Sequence, residues 1–138
     1  MASTLHLQSL KAGLDAVLAL GTPKLSFMAT SFTPNAGTHS YWSDISSSRA
    51  AGTTDVTLAS VTTTLDTGNA RVELATANPS LTTVTTTTNK YSLRVDTGND
   101  ATSPVLATID IVEGTLSPVS GTLSITVNAE GHYALKAV

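Results

Sequence analysis

A chain of 138 residues is long enough to bury a core without covalent staples, and with no cysteine it excludes disulfide frameworks and thiolate metal sites. Only 12% of its residues are charged, about half the usual share. The net charge is −3 and the seven Lys and Arg are scattered, so there is no basic stripe to neutralise phosphates, and no apolar run reaches the length of a bilayer span.

Charge is replaced by Thr, about a sixth of the chain, a β-branched residue whose hydroxyl tolerates water. A low-charge, Thr-rich surface is weakly protected against association, which points to a chain covered by neighbours. Asp15 interrupts the first apolar stretch, so no secretory signal is expected.

In chain order, residues 5–20 read as the one helix. Leu7, Leu10, Leu14, Val17 and Leu18 form one stripe of a 3.6-residue period, with Ser3 or Thr4 as N-cap and Gly21 and Pro23 as the stop. From Lys24 the period becomes two: Leu25, Phe27 and Ala29 alternate with Ser26, Met28 and Thr30, as in a strand that ends before Pro34.

A long polar connection follows at 33–52, with the only Trp, one Tyr and one His. Connections of this length tend to carry function. Further strands are expected at 54–60, 70–76, 82–88, 90–96, 104–112, 122–128 and 132–138. Short strands separated by turn residues predict a mainly β protein, an antiparallel sandwich or barrel with one N-terminal helix, in a single domain over 1–138.

The hexapeptides LDTGNA at 65–70 and VDTGND at 95–100 share a pattern. An apolar residue before Asp-Thr-Gly is also the signature of aspartic proteases, in which two carboxylates share a proton. Here Asp66 and Asp96 lie thirty residues apart, Asn follows Gly in both copies, and no apolar-apolar-Gly run follows either. Two uses of one turn, with Asp accepting backbone N–H groups, is the better reading.

His6, His39 and His132 have no metal-ligand spacing, and Asp96, Asn99 and Asp100 lack the spacing of an EF-hand loop. No G-x-S-x-G elbow supports a serine nucleophile, and glycine-rich phosphate loops are absent. The best candidates for a contact surface are Tyr41 and Trp42, beside His39 and Asp44. Exposed rings there would anchor a protein neighbour or stack on a sugar, while a buried Trp42 would close one end of the core. The helix, with Leu7, Leu10 and Leu14, is the second segment expected to reach a neighbour, since a β core does not require it.

Several segments then form a recognisable set: the opening LKAGLDAVLALGTPKLSFMA at 10–29, THSYWSDI at 38–45, DTGNDATSP at 96–104 followed by Ile109-Asp110, and the alternating LSITV at 123–127. In this order, over nearly the whole chain, they resemble a family of small virion structural proteins of tailed bacteriophages. The strand KYSLRVD departs from the family pattern, in which an aromatic more often stands directly before a Lys-Asp pair.

The resemblance implies a non-enzymatic component of the head surface, made in the host cytoplasm. It would be a capsid decoration (cement) protein that binds the major capsid protein as a homo-oligomer, without cofactor or metal and without nucleic-acid or membrane partners. Some relatives would instead be tail or head-fibre parts, and a virion surface module that binds host glycan is the alternative.

Overall fold

A computed structural model describes residues 6–127, Gly131 and the backbone of 133–136. Helix α1 (Leu7–Leu18) leads into strand β1 (Thr22–Ala29). A one-turn helix, α2 (Trp42–Ile45), runs into a 3-10 turn (Ser46–Ser48). The remaining strands are β2 (Val56–Thr57), β3 (Thr62–Asp66), β4 (Arg71–Ala75), β5 (Ser80–Val84), β6 (Thr88–Asp96), β7 (Val105–Asp110), β8 (Gly121–Ser124) and β9 (Tyr133–Lys136).

All strand pairs are antiparallel. They form a four-stranded sheet in the order β2-β1-β6-β7, a three-stranded sheet β3-β4-β9, and the pair β5-β8. The expected mainly β architecture with an N-terminal helix is present, and no sheet closes into a barrel.

The centre of the molecule is the long β1–β6 pairing, from Thr22↔Asp96 to Ala29↔Thr88. Leu25 lies opposite Leu93 and Phe27 opposite Tyr91, which puts these side chains on one face. That face meets Val72 and Leu74 of β4, Val84 of β5, Leu123 of β8 and Leu14 of α1 in one buried cluster. This is sheet-on-sheet packing as in a sandwich, and each fully buried Leu or Phe contributes about 1.5–3 kcal/mol.

Helix α1 covers this core as its stripe predicts: Leu14 is buried, and Leu7, Leu10 and Leu18 pack half-buried against the cluster. These leucines pack against the chain's own core, Leu14 fully and the others in part; the exposed apolar side chain here is Leu20. Residue His6 stands at the N-cap position without a side-chain cap bond, while Ser3 and Thr4 lie outside the described residues. Gly21 allows β1 to join β6, because a Cβ there would sit 2.1 Å from the Asp96 carbonyl oxygen.

Three features lie outside the sequence pattern for local reasons. Strand β3 was not foreseen, because Thr62-Thr63-Thr64 carries no apolar alternation; it is held by β4 and by Thr63, whose hydroxyl donates to Asp15 at 2.5 Å. The strand expected at 82–88 lies at Ser80–Val84, with an irregular register around Thr83, whose φ is +57°. Most consequential, the second face of β1 and β6 is covered as well: Ser26, Met28, Lys90, Ser92 and Arg94 are all buried.

Candidate functional site

What buries that second face is the connection 33–52. It begins with an Asx turn, in which the Asn35 Oδ1 accepts the Gly37 N–H at 2.9 Å. His39 folds back so that its Nδ1 accepts the Asn35 N–H at 3.0 Å and its ring stacks on Phe32 at 5.5 Å between centroids. The Asp44 carboxylate then accepts the N–H groups of Ser40 and Tyr41 at 3.0 and 2.9 Å, fixing the turn into α2. Asp44 therefore works on its own backbone.

Two main-chain bonds tie this segment to the start of β7: Trp42 N–H donates to the Ser103 carbonyl at 2.8 Å and Val105 N–H to the Ser40 carbonyl at 3.0 Å. Trp42 turns inward to 4% exposure and packs with Met28, Phe32 and Ile45 as a second, smaller core. The guanidinium of Arg94 lies 4.0 Å from the centre of its ring, a cation–π contact away from water. Of the two readings of these rings, the buried Trp42 is the one the fold adopts. Tyr41, 45% exposed, is the one aromatic of the pair open to solvent.

Arg94 is itself 3% exposed and organises the polar face. It donates to the Ser26 hydroxyl and to the Asp55 carboxylate, each at 2.6 Å. Asp55 also accepts from Ser26 at 2.6 Å and from Arg49 at 3.1 Å. Burial pushes the Asp55 carboxyl up, but the hydrogen bonds from Arg94, Ser26 and Arg49 outweigh it and hold the group below the ordinary 3.8. The Arg94 Nε–H has no hydrogen-bond partner among the described residues.

The two Asp-Thr-Gly turns do not meet. Asp66 ends β3 and Asp96 ends β6, in different sheets. Asp66 accepts from the Asn69 side chain at 2.7 Å and its N–H at 3.1 Å, with Arg71 beside it at 3.3 Å. Asp96 accepts from Lys24 at 2.5 Å and from the Gly98 N–H at 2.9 Å. These bonds lower both carboxyls, the Asn69 side chain acting most on Asp66 and Lys24 most on Asp96. A proton-sharing dyad would raise one of its two carboxyls instead. Both motifs are turns. Asn99 caps the neighbouring 3-10 turn by accepting the Ala101 N–H at 2.9 Å, so its oxygen is engaged in the same way.

Among the described residues no three of His, Asp and Glu converge as a metal site would require, and no helix is long and apolar enough to cross a membrane. His132 lies outside the described residues.

Two features escaped the sequence reading. One is the Arg94–Asp55–Ser26 cluster under Trp42; alternation between Leu93 and Val95 puts Arg94 on the opposite face but carries no sign of what covers it. The other is an open groove of about 490 Å³ where Pro34, Asn35 and His39 stand apart from the outer side of β7. Comparison with known proteins finds no family model, no curated protein and no solved structure that matches this chain.

Proposed function

We propose that this chain is a virion structural protein of a tailed bacteriophage: a capsid decoration protein that binds the major capsid protein lattice as a homo-oligomer on the head surface. Its role is contact, not chemistry. One observation carries the reading: the resemblance to phage virion proteins keeps its order along the chain, and its segment THSYWSDI at 38–45 is the one the fold lays over the main sheet, with Tyr41 left outside.

The physical character of the molecule supports this role. A surface poor in charge associates readily, and repetition on a lattice turns many weak contacts into firm attachment. A tail or head-fibre component would use the same surface. A glycan-binding module is less well served, because the Trp42 ring packs under Arg94 and leaves Tyr41 without a second platform.

Quantitative mass spectrometry of virions from a phage that encodes the chain tests the proposal. Decoration predicts a copy number in fixed proportion to the major capsid protein, and binding of the purified chain to heads that lack it. Absence from particles, or a few copies associated with tails alone, would contradict it.

A further inference from the structure

The edge of the main sheet at β7 has a definite hydrogen-bonding character. The Ile111 N–H donates to the Asn89 carbonyl, toward β6. With Tyr91↔Ile109, Ser92↔Thr108 and Leu93↔Ala107 in register, antiparallel alternation turns the N–H and C=O of Thr108 and Asp110 away from β6. No described residue bonds to them there.

The chain itself fills only the first position of the missing fifth strand. Ser40 takes the Val105 N–H and Tyr41 bridges Pro104; the preceding residues then leave the edge and stand off as a wall. Between wall and edge lies the groove of about 490 Å³. Four consecutive residues, Val105 to Thr108, line it, as expected for an opening along the strand's edge, since alternate residues of a strand point to opposite faces. A second depression, shared through Pro34, continues past Asp110.

We propose that this groove takes an extended segment of another protein, added as a fifth strand beside β7. The segment's side chains would be uncharged and β-branched along Leu106–Ile109, with a Lys or Arg facing Asp110. Charge complementarity argues for that occupant: no residue of β7 before Asp110 is charged, and Asp110 has no ion pair with a described residue, because the nearby Lys90 ammonium is turned to Asn89 Oδ1 at 2.7 Å and to the Thr30 carbonyl at 3.4 Å. A second copy of the chain fits less well. Its β7 carries no cation to set against Asp110, and its own 34–40 wall would compete for the same gap. The added strand would gain main-chain bonds at Thr108 and Asp110, as edge-strand recognition does generally. This inference stands apart from the virion proposal, since it specifies the segment and not the particle that carries it.

The test uses the full chain and a fluorescein-labelled hexapeptide of alternating Val and Thr ending in Arg, followed by anisotropy and by amide chemical shifts. Expected are shifts confined to 33–40 and 105–111. Affinity should fall about tenfold or more in Asp110→Lys and in Thr108→Pro, which deletes an outward N–H without removing a main-chain bond to β6, and should persist in Thr108→Val, which like the proline loses the Thr108 hydroxyl bond to Ser92 but keeps the N–H. Should Thr108→Pro fail to fold, the peptide carries the same information: N-methylation at the residues facing β7 abolishes binding, and N-methylation at the alternate residues leaves it intact. No binding at millimolar peptide, shifts elsewhere, or indifference to both N-methylation and Asp110→Lys would overturn the proposal. So would shifts at 105–111 that appear with protein concentration alone, which would mark a second copy as the occupant.

Discussion

On one face of the main sheet Leu25, Phe27, Tyr91 and Leu93 meet the apolar side chains of two other sheets and a helix; on the other, Ser26, Lys90, Ser92 and Arg94 lie under a single irregular segment. Both faces are buried, by different physics. The apolar face gains from removing hydrocarbon from water, a non-directional effect that tolerates small shifts. The polar face depends on pairing its buried donors and acceptors, the Arg94 Nε–H excepted, because an unmatched one costs about 1–3 kcal/mol. It relies on geometry: the Arg94–Asp55 pair, the Ser26 hydroxyl and the Trp42 ring. The first face should therefore supply most of the stability. The second should fix where 33–52 lies, and with it Tyr41 and the wall of the β7 groove.

The largest effects separate these roles. Leu93→Ala should lower stability by about 2–5 kcal/mol in urea denaturation, with amide protection lost throughout the sheet. Trp42→Ala should cost about 3–5 kcal/mol, yet the first protection lost should be that of 33–52. If proteolysis of Trp42→Ala cuts the β core as early as this segment, the two faces do not act separately.

Asp55→Ala leaves the Arg94 guanidinium buried without its counter-charge, and should cost about 3 kcal/mol. Adding Arg94→Met to it should restore part of the loss, since the unpaired charge is then gone. A double variant no more stable than Asp55→Ala would locate the effect elsewhere.

Acid and alkali should act on opposite faces. Asp55, whose folded-state value lies below the ordinary 3.8, stabilises the fold above about pH 4, and that contribution is lost as pH falls through the lowered value. The covering segment should loosen first. Tyr91, on the apolar face, is pushed up to about 12 by burial, so the stabilisation of its neutral phenol is complete below pH 10 and disappears between 10 and about 12. Circular dichroism followed in both directions, together with the tyrosinate absorbance, checks the order. The smallest effect should be Tyr41→Ala, within about 0.5 kcal/mol of wild type by thermal denaturation, because its ring is open to solvent.

Much of the fold was legible because the signals were periodic. The leucine stripe marked α1, and the alternation of Leu25 with Phe27 and of Tyr91 with Leu93 and Val95 marked the two central strands and which residues share a face, though not that these strands pair with each other. Alternation, however, says which residues share a face and not whether that face is wet. The burial of Arg94 and Ser26 left no mark in the pattern, because what covers them is a distant segment with no periodicity of its own. Strand β3 was hidden for the converse reason, since three threonines in a row alternate in nothing a pattern can detect.

The candidate site was read less well. Position 33–52 was identified by length and by its aromatics, but which ring turned inward depended on the Asp44 turn and on a guanidinium about fifty residues away in sequence. The Asp-Thr-Gly motifs were read correctly as turns, since Asp and Gly at that spacing need only local hydrogen bonds.

Because Trp42 is the only tryptophan, its fluorescence reports on the polar face alone. Acrylamide quenching of the native chain, compared with Asp55→Ala, tests the closed second face most directly. The structure predicts blue-shifted, poorly quenched emission in the wild type, and red-shifted, readily quenched emission in Asp55→Ala while the far-ultraviolet β signal persists. Free quenching of the wild type, at the level of an exposed indole, would contradict it.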